Sequence, residues 1–460
     1  MSFALRILPA LGLACALISF GPISQALVAP RIASPGHPAP VSGRLIQPAQ
    51  HPAQPEQPAY SLPPGTLAKA IALGRIRTIL HFGGALWGLA VLGLLLSTRI
   101  AAGLQQRMAR ITQRRWLQGV LFFAALLVLL ELADLPLGIY AHHVSLSYGI
   151  SVQSWPSWLL DNAKGLAVTL GSVPFLLLFN WIVRVSPHHY WLWVWLATLP
   201  IMVLSTLGEP LLEPFFNKFE PLSQSNPALV ARLETVVART GTRIPPKRIF
   251  LMKASLKTNG LNAYVTGIGV TKRIVVWDTT AGRIPDDEIL FLFAHESGHY
   301  VLNHIPKGLA AGAVFLFFVY WACARFAARM SLRFGPRWGL FDDLDEGRSP
   351  LSSRAGFVLL LFIVALASFV LEPVDNTFSR FIEHQADVYG QEAIHTLVPD
   401  PQKTVVSAFN RLGEAWLEDP NPSPFLEFWT YSHPSIQHRA SFAAHYNPWA
   451  SGGHGEFFRK

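Results

Sequence analysis

The chain has 460 residues, 51% of them hydrophobic and only 14% charged, a balance too apolar for an ordinary soluble enzyme. Its net charge of +9 and pI near 9.7 would suit a nucleic-acid partner, but the arginines gather in loops between apolar stretches and no segment has the pattern of a nucleic-acid module. The basic balance therefore reports orientation in a membrane. Cys15 and Cys323 both lie in apolar segments, which excludes a disulfide framework and a thiolate metal site.

Residues 1–26 carry Arg6, an apolar stretch from Ile7 to Ile23, and small residues at Ser24 and Ala26. That order predicts a cleaved signal peptide, with an uncleaved N-terminal anchor as the alternative. A Pro-rich linker follows over 27–65. It is rich in Pro, Ala, Gln and His, with few large apolar residues to offset ordering entropy, so it is expected to be extended and mobile.

Crossing about 30 Å of hydrocarbon takes about 20 apolar residues in a helix. Windows of that kind fall at 79–98, 117–139, 165–185 and 190–207, which make 66–207 a membrane domain of four spans. Two further spans, 306–325 and 355–373, lie within 305–373. Glu131 and Asp134 in the second span are the best argument for a rival reading as a transporter or channel, since acids inside a membrane are functional candidates. They sit near the end of that span, where snorkelling to the interface explains them as well.

Residues 208–304 are mixed in character, with a helix expected at 227–240 and β-rich runs at 248–252, 261–270 and 273–277. A helix then carries His295-Glu296-Ser297-Gly298-His299. Pro285, Asp286, Asp287 and Glu288 mark its start, and Ile289, Leu290, Leu292 and Phe293 give it an apolar face. Residues four apart share a helix face, so His295 and His299 can each offer a ring nitrogen to one zinc ion at ~2.0–2.1 Å. Glu296 lies beside that ion, where a carboxylate takes a proton from water attacking a carbonyl. This is peptide-hydrolysis chemistry; the rival is an amphipathic helix with two surface histidines.

A catalytic zinc takes a third protein ligand and leaves one position open. A histidine six places after His299 would serve, but that position is Ile305; His304 falls one short and reads as a helix-end or interfacial histidine. After a polar loop with Arg329, Arg333, Arg337 and the acids Asp342, Asp343, Asp345 and Glu346, and after the last span, a helical stretch places Glu383 and Asp387 four apart. Glu383 is the candidate third ligand, and Asp387 would orient a ligating imidazole or handle protons. Two acids on a solvated helix face is the plainer alternative. His384 points about 100° away from Glu383 and is the weaker ligand candidate.

Taken together, these residues resemble the CAAX prenyl protease 1 family of multi-spanning zinc metallo-endopeptidases. Asn376, Ser379, Arg380, Glu383, Ala386 and Asp387 resemble its third-ligand helix. Residues 213–222, Asn262-Ala263-Tyr264, residues 272–279, and Tyr431-Ser432-His433-Pro434-Ser435 with Arg439 are similar to its other signatures. The likeness covers about residues 60–445. It implies Asp387 as proton donor, His433 as the contact to the developing oxyanion, and Asn262, Ala263, Tyr264 and Arg439 as substrate-binding residues, with the strand at 261–270 pairing with substrate backbone.

The expectation is a mainly α, polytopic membrane protein with a small α+β zincin-like unit assembled from 208–304 and 374–460. It would hydrolyse peptide bonds with one Zn2+ per chain, its partners being a peptide or protein substrate and the lipid bilayer, not nucleic acid. An inactive zinc-binding scaffold is the remaining alternative, and an intact Glu296 argues against it. For sidedness, Arg99, Arg107, Arg110, Arg114, Arg115, Arg184, Arg325, Arg329 and Arg333 vote for cytoplasmic loops. That places the active site in the periplasm of a bacterial inner membrane, opposite to the cytosolic opening that the resemblance implies.

Overall fold

The structure, a computed structural model, describes residues 58–267, 272–340 and 349–458. The expected signal segment, most of the linker and the acids at 342–346 lie outside the described residues. The chain runs through α1 (Pro64–Ser97), α2 (Ile100–Ile111), α3 (Arg115–Ser147), α4 (Trp155–Leu170), α5 (Val173–Val185) and α6 (Tyr190–Phe216). Then come β1 (Phe219–Pro221), α7 (Pro227–Thr240), β2 (Ile249–Met252), β3 (Ala263–Thr266), β4 (Arg273–Trp277), α8 (Asp286–Val301), α9 (His304–Trp338) and α10 (Arg354–Ile394). The last helices are α11 (Pro401–Trp416), α12 (Pro424–Thr430) and α13 (Ile436–His445).

Five helical stretches among the described residues are long and apolar enough to cross a membrane, with α4 and α5 forming one of them, and α6 makes a sixth if its bent halves count as one span. Pro210 and Pro214 remove amide donors inside α6, and the helix turns by 58° just before its second arm, Pro210–Phe216. Ile79, Leu86, Phe318 and Leu332 stand exposed on the flanks, which hydrocarbon rewards and water would penalise.

The six expected spans lie along these helices, 79–98 passing the end of α1 by one residue and 165–185 crossing the break between α4 and α5, and most of the helices run further. The 41 residues of α10 make a rod about 60 Å long at 1.5 Å per residue, roughly twice the hydrocarbon thickness. Its second half therefore leaves the membrane as a continuation of the span, and the boundary expected at 373/374 falls inside one helix. The linker also ends earlier than expected: Tyr60 is buried, its hydroxyl donating to the Glu418 carbonyl at 3.0 Å and its amide to Gln437 Oε1 at 2.7 Å.

The two ends of the helix bundle differ in character. At one, Arg354 donates to the Arg115 carbonyl (2.7 Å) and to Gln118 Oε1 (3.2 Å), and Arg99 donates to the Arg337 carbonyl (2.8 Å). These bonds gather the ends of α1, α3, α9 and α10. At the other, Lys257, in the loop between β2 and β3, meets Asp161 of α4 at 2.5 Å and the Phe216 carbonyl at 2.7 Å. The non-membrane unit is thus joined to the end opposite the arginines.

That unit holds a four-stranded mixed sheet of order β1-β2-β4-β3. β2 and β4 are parallel, and β1 and β3 pair antiparallel on the outside. β1, three residues long, carries too short a pattern to read from sequence. Leu251, Ala263, Val265, Ile274 and Val276 point into a core shared with α7, α8, α11 and α13, while Met252, Tyr264 and Val275 form a smaller cluster on the other face. The helix expected at 227–240 is α7, capped by Asn226 accepting from the Leu229 amide at 3.0 Å.

Candidate metal centre

Helix α8 starts with Asp286, Asp287 and Glu288, acids that oppose the positive helix end. Glu288 accepts from Ser407 Oγ (2.7 Å) and Arg411 Nε (3.1 Å), tying α8 to α11. The buried Ile289, Leu290, Phe291, Phe293 and Ala294 fix the rotation of α8, which sends His295 and His299 toward α10. The two helices cross closely because two glycines allow it. A Cβ on Gly390 would come within 2.9 Å of the His295 amide nitrogen, and one on Gly298 within 3.0 Å of the Tyr389 ring.

The crossing brings three donors together. His295 Nε2 and His299 Nε2 are 3.3 Å apart, and Glu383 Oε2 lies 3.2 Å from the first and 3.7 Å from the second. His433 Nε2 approaches the same Glu383 oxygen to 3.2 Å. All four side chains are buried. Although these nitrogens surround it, Glu383 Oε2 makes no hydrogen bond of acceptable geometry. A buried acceptor left unpaired among ring nitrogens is costly in itself and fits a cation shared by His295, His299 and Glu383, the group whose ligand atoms all lie within 4.8 Å of one another. The electrostatics agree: burial opposes charge on the His295 ring, yet the close carboxylates of Asp387 and Glu383 outweigh burial and lift the imidazole to about 9. Such surplus negative field is what a divalent cation neutralises.

Other side chains expected at the site are placed as follows. Glu296, which follows His295 along α8, is half-buried. Asp387 stands 2.8 Å from His295 Nδ1 and accepts from Arg439 Nε at 2.7 Å and from Arg439 Nη2. Of the two roles expected for it, this geometry favours orienting His295, because a carboxylate held by a guanidinium stays ionised and is a poor proton donor. Arg439, expected to meet substrate, is buried with Nε and Nη2 on Asp387 and its guanidinium over the Phe409 ring at 4.3 Å. The Asn262 amide and carbonyl are both taken up by Thr280 Oγ1 at 2.8 Å. Ala263 and Tyr264 lie in β3, which has β4 on one side and no described strand on the other. His384 is exposed against Phe442, away from the cluster.

The pattern around Glu383 has a physical meaning visible only in three dimensions. Asn376, Arg380, Glu383 and Asp387 line one face of α10 at steps of three and four residues, and each reaches the C-terminal segment. Asn376 Nδ2 donates to the Trp429 carbonyl at 2.6 Å. Arg380 Nη1 donates to the carbonyls of Glu427, Phe428 and Tyr431 at 3.2, 3.4 and 2.9 Å. Glu383 meets His433, and Asp387 meets Arg439. This row holds the loop between α12 and α13 against the face of α10 that carries Glu383 and places His433.

Sequence reasoning missed one neighbour of the cluster. His304 does begin a helix, as expected, but it is buried, with Nδ1 3.2 Å from His299 Nδ1 and Nε2 3.1 Å from Gln385 Oε1. Its one signal in the sequence is a histidine five positions after His299, one short of the spacing that a third histidine ligand would have.

Comparison with known proteins shows the family and the fold. Residues 223–447 match the model of peptidase family M48, and residues 46–218 match one described as CAAX prenyl protease N-terminal, five membrane helices. The chain is 31% identical over 388 residues to "Uncharacterized metalloprotease YhfN" of Bacillus subtilis, covering 84% of this chain and 87% of that protein. It is 28% identical over 334 residues to CAAX prenyl protease 1 of Saccharomyces cerevisiae, covering 70% and 71%. The crystal structure of S. mikatae Ste24p shares the fold, with a TM-score of 0.72 at 22% identity over 96% of this chain and 99% of that one.

Proposed function

We propose a ligand set, a division of labour and a sidedness for this chain, which belongs to peptidase family M48 and is a membrane-embedded metalloprotease. The observation that carries the reading is the convergence of His295, His299 and Glu383 around a carboxylate oxygen with no hydrogen bond of its own. Two imidazoles and one carboxylate suit zinc, one ion per chain. When bound, the ion supplies Lewis acidity toward water and the scissile carbonyl.

The protein groups do the rest. Glu296 accepts a proton from the attacking water as its oxygen bonds to the carbonyl carbon, and returns it to the amine nitrogen as the C–N bond breaks. His433, positioned by the Arg380 and Asn376 contacts, donates to the oxygen on which charge builds. Asp387, held by Arg439, keeps the Nδ1–H of His295 pointed away from the cluster. The outer edge of β3 aligns an extended substrate by backbone pairing. Substrates are peptides or flexible protein segments; the relatives named as prenyl proteases are eukaryotic, whereas the more similar Bacillus protein is named only as a metalloprotease.

The arginine-rich end of the bundle supports a bacterial inner membrane with that end in the cytoplasm and the metal cluster facing the periplasm. Reporter enzymes active only after export, fused after Lys460 and separately after Arg110, test this. Activity at Arg110 with silence at Lys460 reverses the orientation. The hydrolytic reading is tested by incubating the purified protein with a peptide library, with and without a chelator, and sequencing the products. Glu296→Gln should keep its zinc and lose about 10²–10⁴-fold in rate. Cleavage near the wild-type rate by the zinc-loaded variant overturns the assignment of Glu296.

A further inference from the structure

His295 and His299 present Nε2 to the same point, but their Nδ1 atoms are supported differently. His295 faces a carboxylate already paired with arginine. His299 faces another imidazole, that of His304, with the rings nearly perpendicular at 5.2 Å between centroids. The chain makes this contact by breaking between α8 and α9 at Leu302 and Asn303, the latter at φ 57. The break folds His304 back onto the ring five residues earlier.

A bond between two Nδ1 atoms needs a proton on one and a lone pair on the other. If His304 donated, the proton of neutral His299 would sit on Nε2, aimed at His295 and Glu383, and that nitrogen could not ligate. If His299 donates, its Nε2 lone pair turns toward Glu383. The His304 proton then lies on Nε2, which has an acceptor waiting in Gln385 Oε1 at 3.1 Å. Gln385 sits on α10 two residues beyond Glu383, so the helix that brings the third donor also terminates this relay. Both imidazoles stay neutral, and no third carboxylate is added to a buried site that already holds Glu383 and Asp387.

We propose that His304 and Gln385 are positioning residues that hold His299 as its Nδ1–H tautomer and keep its Nε2 lone pair open to a metal ion. The inference rests on the reading of His295, His299 and Glu383 as ligands, and the test separates the two. Zinc affinity of the purified full chain is measured by competition with a chromophoric chelator, and the visible spectrum is recorded after loading with Co2+. His304→Leu, which fills the space without an acceptor, should weaken zinc binding about 10–100-fold and alter the cobalt bands. His304→Asn, which places an amide oxygen near the position of Nδ1, should recover most of the affinity and the wild-type bands. Gln385→Leu should weaken binding less, and Gln385→Glu, which keeps the acceptor, should match wild type. Wild-type affinity in His304→Leu, or equal loss in His304→Leu and His304→Asn, overturns the proposal while leaving the ligand set standing. Zinc binding unchanged in His299→Ala overturns the ligand reading and this proposal with it. Should His304→Leu fail to fold, the two Gln385 variants decide: weaker binding in Gln385→Leu alone supports the relay, and equal affinity in both overturns it.

Discussion

Helices α8 and α10 build the candidate site together, and they do so from opposite starting points. α8 has 16 residues, lies wholly within the non-membrane unit, and carries both histidines and Glu296 in five consecutive positions. α10 has 41 residues, begins in the bundle, and spreads Asn376, Arg380, Glu383 and Asp387 over three turns that each hold a different part of the C-terminal segment. The first helix concentrates the candidate chemistry, whereas the second connects the bundle, the candidate site and the loop in one rod. Substitutions in α10 should therefore produce separable losses of metal, fold and rate.

The largest separation is expected at Glu383 and its neighbour one turn on. Glu383→Ala should lose most bound zinc by elemental analysis and all measurable peptide cleavage. Asp387→Asn, which keeps the shape but weakens the hold on His295, should lower affinity by only about 10–100-fold. The reverse order would exchange their roles.

Next is Arg439→Leu. Removing one partner of a buried pair leaves Asp387 uncompensated, and such losses run to about 3–5 kcal/mol. A fall in thermal stability of the metal-free protein checks this; unchanged stability with weakened peptide binding would return Arg439 to substrate contact. Arg380→Ala acts on geometry instead. With its three carbonyl contacts gone the loop bearing His433 loosens, and kcat should fall about 10–100-fold with zinc content unchanged.

Gly390→Ala tests the helix crossing itself. Its added methyl meets the His295 backbone, and overpacking of this kind costs about 1–3 kcal/mol, read as a lower midpoint in thermal unfolding. Asn376→Ala should have the smallest effect. One hydrogen bond to the Trp429 carbonyl is lost, worth roughly 1 kcal/mol, and the expected result is a slight loss of stability at nearly normal rate.

The sequence by itself determined the features that depend on local spacing. Apolar windows about as long as the bilayer is thick located the five spanning stretches and the bent sixth, and an i, i+4 pair of histidines on an amphipathic helix had one face to share. The arginines between spans made the two ends of the bundle unequal without reference to any contact. Glu383 was legible only in part, since two acids four apart occur on many solvated helices and resemblance supplied what spacing did not. Tertiary structure alone decided the rest. That the last span and the helix bearing Glu383 are one rod depends on Pro373 being accommodated inside α10. That Arg439 serves Asp387 depends on α13 packing where its guanidinium reaches a buried carboxylate. That His304 meets His299 depends on a two-residue break which no periodicity predicts. In the last two cases the partner lies far away along the chain or beyond a break in the helix, and spacing along one regular element carries no information about which distant atoms the fold brings within hydrogen-bond reach.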